Sequence, residues 1–77
     1  MEGMILVTLG KKVRLRRKIL GISQSELSQL TGVSQPYISE IENGGYSPTA
    51  TVLAVLARAL NCTTDYLIYD DENKKVS

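Results

Sequence analysis

The chain has no histidine, no tryptophan and no phenylalanine, and its 77 residues include one cysteine and two prolines. Without histidine, imidazole acid–base chemistry is excluded, and a metal site lacks its commonest nitrogen ligand. Cys62 alone cannot form an internal disulfide. No apolar run approaches the ~20 residues of a membrane span. The run Met4-Ile5-Leu6-Val7 is too short for a secretory signal and has no basic residues before it. Nucleophile–base pairs and phosphate-cradling glycine loops are also missing. The expectation is a small, soluble, cytoplasmic protein that is not an enzyme and has no cofactor, metal, membrane or small-molecule ligand.

The length allows one domain with a modest core. Its net charge of +1 hides an asymmetry. Residues 1–20 hold Lys11, Lys12, Arg14, Arg16, Arg17 and Lys18 against Glu2, a net of +5. The remainder holds Arg58, Lys74 and Lys75 against seven acidic residues, a net of −4. From charge alone, the basic end reads equally as a polyanion-facing surface or as a solvated helix face.

Hydrophobic spacing predicts five short helices. The first runs over 8–20, with Leu9, Val13 and Leu20 on one stripe, Thr8 as its N-cap and Gly21 as its stop. Ser23-Gln24-Ser25-Glu26 fits a capping box that opens a second helix, closed by Gly32. Ser34 caps a third helix, to about Asn43, with Pro36 in its first turn. Thr49 or Ser47 caps a fourth, which is apolar nearly all round and so reads as central. Thr63 caps a short fifth helix over 64–69. Residues 1–7 read as an arm, β-prone over 4–7, and residues 70–77 as a polar, frayed tail.

The informative stretch is QSELSQLTGVSQPYISEIENG, residues 24–44. Two short helices flank Thr31-Gly32-Val33-Ser34, where glycine permits the left-handed turn between crossing helices. Leu27, Val33, Ile38 and Ile41 are spaced to pin the pair to a common core. This is the helix-turn-helix pattern, whose second helix enters the DNA major groove. With Ile38 and Ile41 facing inward, Gln35, Pro36, Ser39, Glu40 and Asn43 fall on the outer side, with Tyr37 at the edge.

Together with LGKKVRLRR before it and SPTATVLAVLARAL-NCTTDYL after it, this stretch resembles the lambda-repressor-like, Cro/cI-type (XRE) helix-turn-helix family over residues 8–69. The resemblance implies an all-α, five-helix DNA-binding domain. By family position, Gln35, Pro36, Ser39 and Glu40 are the base readers, and Ser23, Gln24, Tyr37 and Asn43 touch phosphates. It also implies a partly buried salt bridge between Arg17 and Glu42, and a dimer interface on the last helix with Tyr66, Ile68 and Tyr69 as candidates. Neither the third helix nor the loop over 44–48 carries Lys or Arg. Electrostatic affinity therefore falls to Lys11, Arg14 and Lys18, which share a face of the first helix.

The expected function is a sequence-specific double-stranded-DNA-binding transcriptional regulator, a repressor acting as a homodimer on an inverted repeat. A DNA-binding antitoxin or a restriction–modification controller would carry the same sequence features. A protein-interaction adaptor of the same fold is the alternative, motivated by the third helix's lack of Lys and Arg, by Leu15 and Ile19 lying off the core stripe of the first helix, and by Leu30, where the resemblance implies a polar residue. The arm over 4–7 is one expected cover for Leu15 and Ile19.

Overall fold

The computed structural model describes the backbone of residues 2–69 and side chains from residue 8 onward. Over this range the chain forms five helices and no strand: α1 (Glu2–Ile19), α2 (Gln24–Thr31), α3 (Gln35–Glu42), α4 (Ala50–Ala59) and α5 (Thr64–Ile68). The tail expected over 70–77 lies outside the described residues.

Side-chain oxygens start four of the helices. Ser23 Oγ accepts from Glu26 N at 3.0 Å while Ser23 N donates to Glu26 Oε1 at 2.8 Å, so the capping box closes in both directions. Ser34, Thr49 and Thr63 accept from Tyr37 N, Val52 N and Tyr66 N at 3.3, 3.2 and 3.0 Å. Thr49, not Ser47, is therefore the cap of α4. The helix ends are equally local. Ile22 N reaches Arg17 O and Gly21 N reaches Lys18 O, the paired bonds of a Schellman stop. Cys62 N and Asn61 N repeat that pattern on Ala57 O and Arg58 O, with Asn61 at φ +59° in the left-handed position usually held by glycine.

The first helix departs from the expectation. It begins at Glu2, so Thr8 is a mid-helix residue and not a cap, and the backbone over 2–7 continues α1. Apolar side chains over 4–7 suit a helix as well as a strand, and the residues around them supply no stop. A continuous helix also carries residues 4–7 at least ~12 Å along the axis from Leu15. The segment thus cannot fold back as a cover, and Leu15 and Ile19 remain 50% and 60% exposed.

Leu9 and Val13 of α1 meet Leu27, Ile38, Ile41, Leu56, Ala57, Leu60 and Leu67 in one core. Leu20, expected on the same stripe, follows the last helical residue; the turn there ends the 3.6-residue period and leaves it exposed. α4 is not central either. It packs on α2 and α5, while α1 packs on α3 and α5. Only Leu56 and Ala57 of α4 are fully buried, and Val55 is exposed. Its largely apolar sequence includes the small Ala50 and Ala54 on the solvent side, which need no burial.

Candidate nucleic-acid interface

α2 and α3 form the expected two-helix unit. Gly32 ends α2 at φ +76°, a conformation that β-carbon sterics deny most residues, and its N–H returns to Ser28 O at 2.8 Å. Thr31 Oγ1 donates to Leu27 O at 2.8 Å and accepts from Val33 N at 3.1 Å, which stitches the turn to the helix before it. Leu27, Ile38 and Ile41 bury the inner faces completely. The outer face of α3 then presents Gln35, Pro36, Glu40 and Asn43 to solvent, with Ser39 half-buried.

The loop after α3 holds a feature that its sequence did not flag. Tyr46 stacks on Tyr37, ring centroids 4.8 Å apart at 48°, and so ties the exposed loop to the first turn of α3. Tyr37 is half-buried beside the core rather than wholly at the surface. Glu40 leans the same way, its Oε2 lying 3.0 Å from where a β-carbon on Gly45 would stand.

Three of the six basic residues at the start of the chain are taken up by the fold. Lys12 is 8% exposed; its Nζ donates to the carbonyls of Tyr66 and Tyr69 and sits 4.6 Å from the Tyr66 ring centre. Arg16 donates to Leu60 O at 3.2 and 3.0 Å and to Asn61 O at 3.2 Å, meeting the open carbonyls at the end of α4. Arg17 forks onto Glu42, Nε to Oε2 at 2.8 Å and Nη2 to Oε1 at 3.1 Å, with Nη1 on Ile22 O at 3.0 Å. The hydrogen bond to Glu42 raises the Arg17 pKa, outweighing the opposing effect of burial. The expected salt bridge is therefore present and bidentate.

Lys11, Arg14 and Lys18 are the exposed remainder. At 3.6 residues per turn they form one stripe of α1, and Arg14 lies toward the flank that carries Gly10 and Arg17 against α3. Leu15 and Ile19 lie on the opposite side of that stripe, toward Lys12 and α5. The basic and apolar surfaces of α1 thus border different helices. Gln24, expected at a phosphate, is half-buried and donates Nε2 to Glu42 Oε1 at 3.1 Å. On α5, Tyr66 and Ile68 are half-buried against the core and Tyr69 is exposed.

This arrangement of helices and spacings matches the helix-turn-helix family model over residues 13–67. The chain belongs to the Cro/cI-type helix-turn-helix family. It is 40% identical over 63 residues to the Repressor protein C2 of Salmonella phage P22, covering 82% of this chain and 29% of that protein. The crystal structure of the P22 c2 repressor in complex with synthetic operator 9T superposes with a TM-score of 0.78, covering 82% of this chain and 96% of that one. The HTH-type transcriptional regulator DicA of Escherichia coli is 32% identical over 69 residues, 90% of this chain and 51% of that protein. The restriction–modification controller protein C.AhdI of Aeromonas hydrophila is 31% identical with a TM-score of 0.77, covering 80% of this chain and 94% of that one. The chain thus spans 29% and 51% of the length of the two curated relatives named here. Among the described residues, no helix is long and apolar enough to cross a membrane.

Proposed function

We propose that this helix-turn-helix chain is a sequence-specific double-stranded-DNA-binding transcriptional regulator and not an enzyme, a repressor that works on the nucleoid as a homodimer. The observation that carries this reading is the outer face of α3. A short helix buried on Ile38 and Ile41 holds Gln35, Pro36, Ser39 and Glu40 outward, as residues that can reach base edges. Gln can bond adenine N6 and N7 together, Ser can meet several base edges, and Glu can accept from cytosine N4. A relative of 40% identity, the P22 c2 repressor, is seen on a synthetic operator, which supports the same role for this face.

In this reading Ser23, Gln24, Tyr37 and Asn43 set the register on phosphates, and Lys11, Arg14 and Lys18 supply the salt-dependent attraction. Three exposed cations on α1 make a weak monomer, so affinity comes from pairing two subunits. Tyr66, Ile68 and Tyr69 are the interface candidates, with Leu15 and Ile19 on the adjoining flank of α1. Two α3 helices would then meet half-sites roughly 34–36 Å apart. A controller of a restriction–modification system is one form this regulator can take, given the likeness to C.AhdI.

The test is selection of bound duplexes from a random double-stranded pool at about physiological salt. Enrichment of an inverted repeat with half-sites one turn apart supports the dimeric regulator. A single enriched half-site points to a monomer or a missing partner. A second reading, a protein-interaction adaptor, is favoured by the exposed Leu30, which lines a shallow concavity with Val55, Arg58 and Ala59. Loss of function in Leu30→Glu, with function intact after Gln35 and Ser39 are both changed to Ala, would select it.

A further inference from the structure

The ion pair between α1 and α3 has a third member, and that member is one of the residues assigned above to a phosphate. Glu42 exposes only 4% of its side chain and Arg17 12%. Glu42 Oε1 accepts from both Arg17 Nη2 and Gln24 Nε2, each at 3.1 Å, while Oε2 takes Arg17 Nε at 2.8 Å. Three helices therefore meet at one carboxylate, and Arg17 is itself held by Ile22 O. We propose that Glu42, oriented by Arg17, is a positioning residue that aims the Gln24 amide at a DNA phosphate. The inference rests on the DNA-binding reading.

A primary amide carries two N–H donors in one plane. A bond from one of them to a fixed carboxylate sets that plane and so directs the other donor. Holding the side chain in the free protein also removes rotamer entropy that DNA binding would otherwise have to overcome. Arg17 has a second part in this arrangement. It neutralises a carboxylate that would otherwise stand negative near the phosphate backbone.

Bulk electrostatics and positioning predict opposite signs for one substitution. Glu42→Gln removes a negative charge, so charge alone predicts tighter binding to any duplex. The new amide keeps one acceptor oxygen and turns it to Arg17, which has donors only, so Gln24 loses its fixed acceptor, and that loss predicts weaker binding. Affinity for a mixed-sequence duplex at low salt is measured for the unchanged chain, Gln24→Ala, Glu42→Gln and the double variant, at a temperature where circular dichroism shows each folded. Gln24→Ala weakens binding about two- to tenfold, and leaves the salt slope unchanged because the lost donor is uncharged. Glu42→Gln weakens binding by a similar factor in the presence of Gln24, and tightens it in the Gln24→Ala background. Equal tightening in both backgrounds would overturn the proposal.

Glu42→Gln also leaves Arg17 without its ion-pair partner and can unfold the chain, so a second measurement uses the unchanged protein. The NMR order parameter of the Gln24 side-chain amide should approach the ~0.85 of rigid groups, while the exposed Gln29 and Gln35 amides fall below about 0.6. A Gln24 amide as mobile as that of Gln29 would overturn the proposal. A chain that binds no duplex although its Gln24 amide is rigid would refute the DNA-binding reading, and with it the role of the amide, while leaving the hydrogen-bond chain standing.

Discussion

Gly10 sits in the middle of α1, where glycine is ordinarily unfavourable by about 0.8–1.0 kcal/mol relative to alanine. On propensity alone Gly10→Ala should stabilise the protein. The structure predicts the reverse. A β-carbon at Gly10 would stand 2.5 Å from Ile41 O, 2.6 Å from Glu42 O and 2.9 Å from Glu42 C. All three are backbone atoms, so no side-chain rotation relieves the clash, and α3 must retreat from α1 by about 1 Å. Overpacking of this kind costs about 1–3 kcal/mol, and contact with fixed backbone belongs at the upper end. Subtracting the propensity gain leaves a net loss of about 2 kcal/mol, from a total of roughly 4–11 for a chain of this size. For a small domain that lowers Tm by about 8–16 °C. Thermal melts by circular dichroism measure it, with the exposed Lys11→Ala as a control expected within about 0.5 kcal/mol of the parent. An unchanged or raised Tm for Gly10→Ala would refute the close approach of α1 and α3. Because α3 also carries the outer polar face, the displaced variant should bind duplex DNA more weakly even when fully folded.

Replacing Lys12 by Met removes a donor to the carbonyls of Tyr66 and Tyr69; urea denaturation should show a loss of about 1–3 kcal/mol, although a surface lysine would change stability hardly at all. Arg14→Ala should leave stability nearly untouched and reduce the slope of log affinity against log salt by about 0.9, read from duplex titrations at several salt concentrations. Burial raises the Cys62 pKa, against a smaller opposing effect of Arg16. The folded thiol therefore keeps its proton to higher pH than the unfolded one. Its contribution to stability is complete below about pH 8.5, the unfolded value, and is lost as pH rises toward the folded pKa. Alkylation of the native protein at mildly alkaline pH should accordingly be slower than that of the urea-unfolded chain, and Cys62→Ala should flatten the fall in stability above pH 8.5 relative to the parent.

What could be read from the sequence was mostly what neighbouring residues decide among themselves. Ser23 with Glu26, Ser34 before Pro36, and Thr63 satisfy helix ends within four residues, so their roles follow from spacing. The inward positions Leu27, Ile38 and Ile41, and the outward set on α3, follow from the 3.6-residue period. The start of α1 is not legible in this way, because Met4-Ile5-Leu6-Val7 satisfies helix and strand patterns alike and nothing local distinguishes them. Tyr46 gives no such signal, because a loop tyrosine carries no period; only the fold brings its ring to Tyr37.

The sequence by itself determined the all-helical, five-element order, the caps of α2, α3 and α5 and the polar face of the third helix, since each depends on short-range hydrogen bonds or on a helical repeat. Only the tertiary structure decided how the basic residues divide. Six cations within residues 11–18 look alike in sequence, yet Lys12, Arg16 and Arg17 turn to carbonyls or to Glu42, and Lys11, Arg14 and Lys18 stay in solvent. Their partners lie 25 to 57 residues away along the chain, apart from Ile22. The same holds for Gly10, whose missing side chain has meaning only because the end of α3 lies against it, and for Gln24, whose amide is drawn to a carboxylate 18 residues on. Contacts closed over such separations are set by how the helices pack, and no local rule of spacing contains them.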